Sequence, residues 1–71
     1  MREYVVRHLT DSDVWSSITI PAFSTHAVVV TSDGSVADIS IESANELIRY
    51  CGMRRMYTVE EVQEGVTYAR A

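Results

Sequence analysis

His26-Ala27-Val28-Val29-Val30-Thr31-Ser32-Asp33-Gly34-Ser35-Val36-Ala37-Asp38-Ile39-Ser40, followed without a break by Ile41-Glu42-Ser43-Ala44-Asn45-Glu46-Leu47-Ile48-Arg49-Tyr50-Cys51-Gly52, is the stretch that decides the fold. Asp33-Gly34 separates two β-rich runs, and Asp-Gly favours a type I′ hairpin turn because both central residues take positive φ. The pair therefore predicts a hairpin joining strands over 26–31 and 35–40. The Val28-Val29-Val30 run reads as a strand buried on both faces. Beyond Ser40 the period changes: Ile41, Ala44, Leu47, Ile48 and Cys51 fall at helical spacing, with Glu42, Asn45, Glu46 and Arg49 opposite them. This predicts an amphipathic helix over 41–51, with Ser40 as N-cap, Glu42 favourably placed in the first turn and Gly52 stopping the helix at C′.

Working outward, residues 4–9 alternate as a strand, with Tyr4, Val6 and His8 on one face and Val5, Arg7 and Leu9 on the other. The turn formers Thr10-Asp11-Ser12-Asp13 follow, then a short β pattern from Trp15 to Ile20 that Pro21 confines to an edge or an end. C-terminal to the helix the pattern is divided. Thr58-Val59-Glu60-Glu61 matches a capping box, and Val59, Val62, Val66 and Ala69 share helical spacing. Residues 56–59 and 66–68 are β-rich, however, which predicts a hairpin turning at Gly65. The expected fold is a single α+β domain over 1–71: a small antiparallel sheet of about five to six short strands packed against one helix.

Composition limits function. With 46% hydrophobic and 23% charged residues the chain has a globular balance. At 71 residues its core is thin, so dimerisation or docking can supply further burial. The single cysteine excludes an intrachain disulfide and, with two histidines, is too little for a structural zinc site. A reducing cytoplasmic setting is expected, since the sequence has neither a signal-peptide pattern nor an apolar run of membrane-spanning length. Cys51 falls on the apolar helix face, where a thiol is inert. Asp11-Ser12-Asp13 lacks the glycine and glutamate of a calcium loop, the glycines do not form a phosphate-binding loop, and no glycine-flanked serine elbow occurs. No enzyme activity, cofactor or metal is expected.

Net charge is −4, from ten carboxylates and six arginines, with lysine absent. This sign opposes direct binding to nucleic acid or an anionic membrane. Candidate partner-binding residues are the carboxylates Asp33, Asp38, Glu42, Glu46, Glu60, Glu61 and Glu64, together with Arg54, Arg55 and Tyr57. The carboxylates could occupy a basic groove in place of phosphates. The segment Met53-Arg54-Arg55-Met56-Tyr57 has the side-chain types enriched at interface centres. The expected function is a protein-binding inhibitor or modulator whose partner is basic and handles nucleic acid. Two alternatives stand beside it: a nucleic-acid-binding or transcription-regulating module using Arg49, Arg54 and Arg55, and an assembly subunit that homodimerises through a strand edge.

In size, acidity and strand-hairpin-helix-strand layout, carried by Asp33-Gly34, the helix over 41–51 and the strand-like 54–59, the whole chain resembles the small anti-defence and host-takeover proteins of bacteriophages, anti-CRISPR proteins among them. That resemblance implies stoichiometric inhibition by surface binding in a host cytoplasm, without a cofactor. It places no functional residue.

Overall fold

The computed structural model describes residues 1–62. Five strands and one helix follow in the order β1 (Arg2–His8), β2 (Trp15–Ile20), β3 (His26–Thr31), β4 (Val36–Ser40), α1 (Ile41–Met53) and β5 (Tyr57–Val62). The strands form one antiparallel sheet in the order β4-β3-β2-β1-β5. The first four make a meander. α1 then carries the chain across the sheet to place β5 beside β1. This is the expected α+β architecture, with five strands among the described residues.

Strand alternation sorts the side chains. Tyr4, Val6, Ile18 and Ala27 face α1 and form the core with Ala44 and Cys51, while Ile20, Val29, Ile39, Ile41, Ile48, Tyr57 and Val59 pack around them. Val5 and Ser17 lie opposite each other on the other face, and both are buried. The Ser17 hydroxyl donates to Glu3 Oε1 at 3.3 Å. Val28, Val29 and Val30 are each half-buried, not buried on both faces as expected. Their strand lies next to the terminal strand β4, so it has only one well-covered neighbour. β1 starts two residues earlier than the sequence pattern, because Arg2 and Glu3 pair with Ile20 and Thr19 of β2. Leu9 is released from it and is exposed.

The hairpin forms where expected, with a different turn. Within this turn only Gly34 has positive φ, +89°, and its N–H donates to Thr31 O at 2.9 Å while the Thr31 N–H donates to Ser35 O at 3.0 Å. That is the three-residue loop closed by a left-handed glycine, in which Asp33 keeps an ordinary backbone. The Asp33 carboxylate accepts from the Ser35 N–H at 2.9 Å and from the Thr31 hydroxyl. These donors hold its pKa down at about 2.

α1 is capped by Ser40, whose hydroxyl oxygen accepts the Ser43 N–H at 3.1 Å. Gly52 does not stop it. The helix continues to Met53, and Arg54 is the C-cap, its N–H donating to Cys51 O. Leu47, expected on the apolar face, is 37% exposed at the helix margin. Downstream, Thr58, Glu60 and Glu61 lie in β5, so the capping box is not used as one: pairing with β1 from Tyr57↔His8 to Val62↔Glu3 satisfies the backbone instead. The expected partner strand at 66–68 and its turn at Gly65 lie outside the described residues.

Two tests separate these local effects. Gly34→Ala places a side chain in a left-handed backbone and is expected to cost about 1–2 kcal/mol in urea unfolding. Gly52→Ala has open space and helical φ, so it is expected to be neutral or to gain up to about 1 kcal/mol. Asp33→Asn addresses pH. A carboxylate with a lowered folded pKa contributes stability above the unfolded value of about 3.9, and that contribution disappears as pH falls through about 2. The stability gap between wild type and Asp33→Asn is therefore expected to be full near neutrality and to close by pH 2 in thermal melts.

Candidate functional site

The last two turns of α1 and the residues after it carry the largest group of exposed apolar side chains. Leu47, Tyr50, Met53 and Met56 are 37, 51, 77 and 52% exposed. They follow from geometry: positions 44, 48 and 51 take the face turned to the sheet, which leaves 50 and 53 on the outer flank. An open hollow of about 450 Å³ lies there, lined by Glu46, Arg49, Tyr50, Met53 and Arg54. The Arg54 guanidinium sits over the Tyr50 ring, 4.6 Å from its centroid. A cation this close to a ring face is attracted by the ring quadrupole, which limits the rotamers of both side chains before any partner arrives.

A second hollow, of about 210 Å³, lies between the helix and the sheet and is lined by Val6, Ser16, Ile18, Leu47, Tyr50, Cys51 and Tyr57. Tyr50 belongs to both hollows. None of the residues lining the second is acidic or basic. Cys51 is 7% exposed at its floor, and burial pushes its thiol pKa up. The thiol is accordingly protonated at neutral pH. Tyr57 is half-buried, with its ring edge-on to His8 at 5.6 Å between centroids.

The structure groups the sequence-derived candidates unevenly. Glu46, Arg49 and Arg54 meet at the larger hollow, and Arg55 is exposed in the turn just after the C-cap. The carboxylates are dispersed: register puts Asp38 opposite Val28 and Glu60 opposite Val5, both on the sheet face away from α1 but at its two edges. Asp33 is in the β3–β4 turn, Asp38 in β4 and Glu60 in β5, at opposite ends of the sheet. Glu42 lies in the first turn of α1, and Glu61 pairs with Arg2 at 3.4 Å. Glu64 lies outside the described residues. Among the described residues no group of three or more His, Cys, Asp or Glu side chains could hold a metal ion. The histidines have hydroxyl partners: His8 Nδ1 is 2.8 Å from Thr10 Oγ1, and His26 Nδ1 is 2.9 Å from Thr25 Oγ1. Asp11 and Asp13 belong to the β1–β2 turn, where the Asp13 N–H donates to the Asp11 carboxylate at 3.1 Å. No helix among the described residues is long and apolar enough to cross a membrane.

Sequence reasoning missed Tyr50 and Phe23. Tyr50 had a readable signal, since Arg54 follows it by four residues and i,i+4 side chains meet on a helix. Phe23 had none beyond being aromatic in a loop. Comparison with protein-family models, with curated proteins and with solved structures finds no match for the chain.

Burial of Cys51 generates a direct test. Its reaction with a thiol reagent is expected to be slow in native buffer and fast in denaturant, followed by absorbance. Immediate native reaction would show that the hollow opens to solvent.

Proposed function

We propose that the protein is a non-catalytic inhibitor or modulator that binds a protein partner through the C-terminal half of α1 and the turn after it. The supporting observation is the exposed cluster Tyr50, Met53 and Met56, with Arg54 already seated on Tyr50. Tyrosine, methionine and arginine give large contact area, and fixing them in advance lowers the ordering cost of association. Glu42 and Glu46 on the same helix supply a carboxylate rim. With a net charge of −4, that rim suits a partner with a basic surface, as nucleic-acid-handling proteins have. Inhibition would follow from occlusion of that surface, the mode that the resemblance to bacteriophage anti-defence proteins also implies.

One observation favours the nucleic-acid-binding module: Arg49 and Arg54 line the same hollow, with Arg55 next in sequence. Against it, three cations beside Glu46 release few counterions, and the surrounding charge is negative.

The test begins with affinity capture from a lysate of the cells in which the protein is native, followed by titration with the captured protein. Tyr50→Ala and Met53→Ala are each expected to cost about 2 kcal/mol or more through faster dissociation, with unchanged thermal melts. Added salt is expected to slow association, because rim charges chiefly steer encounter. Direct, salt-sensitive binding of the isolated protein to labelled DNA or RNA, lost in Arg49→Ala and Arg54→Ala, would overturn the reading in favour of the module.

A further inference from the structure

The face of the sheet away from α1 carries the other half of the strand alternation. Register aligns Glu60, Val5, Ser17, Val30 and Val36 in one row across all five strands, and Val62, Glu3, Thr19, Val28 and Asp38 in the next. Exposure along the first row is graded. Val5 and Ser17, on β1 and β2, are 1% and 4% exposed, and Val30 is half-buried. At the two edges Glu60 and Val36 are exposed, Val36 at 66%.

An antiparallel sheet with one bare face leaves that face to water. Here Tyr4, Val5 and Val6 are consecutive and all three are buried, so the middle of β1 is covered on both sides. Packing against α1 explains Tyr4 and Val6. Among the described residues no helix or strand lies over Val5. Neighbouring side chains do not close the face either: the Arg7 guanidinium is turned to Ser12 O at 3.5 Å, the Glu3 carboxylate takes the Ser17 hydroxyl, and Glu60 is exposed. Trp15 and Thr19, on either side of Ser17 along β2, are themselves half-buried. These exposures belong to a single chain, so the cover is part of the chain itself.

We propose that residues 63–71 turn back at Gly65 and strap the face of the sheet away from α1, closing over Val5 and Ser17. The last residue of β5, Val62, pairs with Glu3 and lies on this face. Val5 and Ser17 are one and two strands away from it, roughly 5 and 10 Å. Nine residues follow Val62, and nine residues reach at most about 30 Å. Gly65 permits the reversal of direction. Val66, Tyr68 and Ala69 supply apolar surface for the valines, and Arg70 is a cation for Glu3 and Glu60, which flank Val5. One stretch of chain covers about two strand spacings, which is the width over which burial is complete. The strap withholds this face from other molecules and leaves the outer side of α1 open, so it stands apart from the partner-binding reading.

Nuclear Overhauser cross-peaks in the full, isotope-labelled chain test the proposal. Cross-peaks are expected from Val66 or Tyr68 to Val5, Ser17 or Trp15. Trp15 is the one tryptophan and gives a second readout. Val66→Glu combined with Tyr68→Glu is expected to raise acrylamide quenching of its fluorescence severalfold while the circular dichroism of the sheet is retained. Cross-peaks from 66–68 to β5 alone, as in a sixth strand beside it, would overturn the proposal, as would their absence from the open face or equal quenching in wild type and a folded variant. If the variant does not fold, the cross-peaks of the wild-type chain decide alone.

Discussion

The crossover from β4 to β5 is the constraint on which the rest of the structure depends. These strands run parallel at opposite ends of the sheet, with β3, β2 and β1 between them. Four interstrand spacings of about 4.8 Å amount to roughly 19 Å. A 13-residue helix rises about 20 Å, so α1 is long enough to make the crossing. Ala27 and Ala44, both at 0% exposure, keep side-chain bulk low where helix and sheet pack. Lying across the strands, one helix about 10–12 Å in diameter covers only part of the length of strands of five to seven residues. Ile48 and Cys51 are therefore taken into the core, whereas Leu47 and Tyr50 remain at its margin and the hollow beside Cys51 opens between them. The surface available for binding is a direct result of this incomplete cover.

Local signals read correctly wherever short-range chemistry controlled the outcome. Asp33-Gly34 located the hairpin, Ser40 the N-cap, and the spacing of Ile41, Ala44, Ile48 and Cys51 the helix face. Failures came where distant parts of the chain decided. Gly52 has the sequence appearance of a stop, but it does not take the positive φ of a glycine C′ and the helix runs on to Met53, capped by the Arg54 N–H on Cys51 O. Where the capping box at Thr58 competed with a β-rich pattern over 56–59, the β reading held, because β1 offers residues 57–62 a full ladder of pairs. The type I′ assignment failed on a finer point. Ser32 adds a residue to the loop, so a single left-handed glycine closes it.

The candidate site was less legible than the fold, because charge was the cue and charge proved to be dispersed. A list of carboxylates carries no information on which strand end or helix flank receives each one, and β4 and β5 send Asp38 and Glu60 to opposite ends of the sheet. The arginines were better guides. Arg54 follows Tyr50 by one helical turn and stacks on it, which brings Arg49 and Glu46 into the same hollow. Met53 was legible as an interface type. Its exposure depended on the helix running one residue past Gly52, which no local pattern indicated.

Charge position also divides the molecule into two kinds of surface. Residues 14–32 carry no acidic or basic side chain except His26, while α1 and the strands at the ends of the sheet carry five of the ten carboxylates. On the second kind the charge is mixed along α1, where Glu46 shares its hollow with Arg49 and Arg54. The exposed rings follow this division: Tyr50 and Arg54 lie beside Glu46, whereas Phe23 lies in the uncharged stretch. In a domain of 71 residues neither ring adds to the monomer's core, and Phe23 strains its backbone as well. Among the described residues neither ring belongs to the buried core, and the packing of the fold gives no reason for their placement.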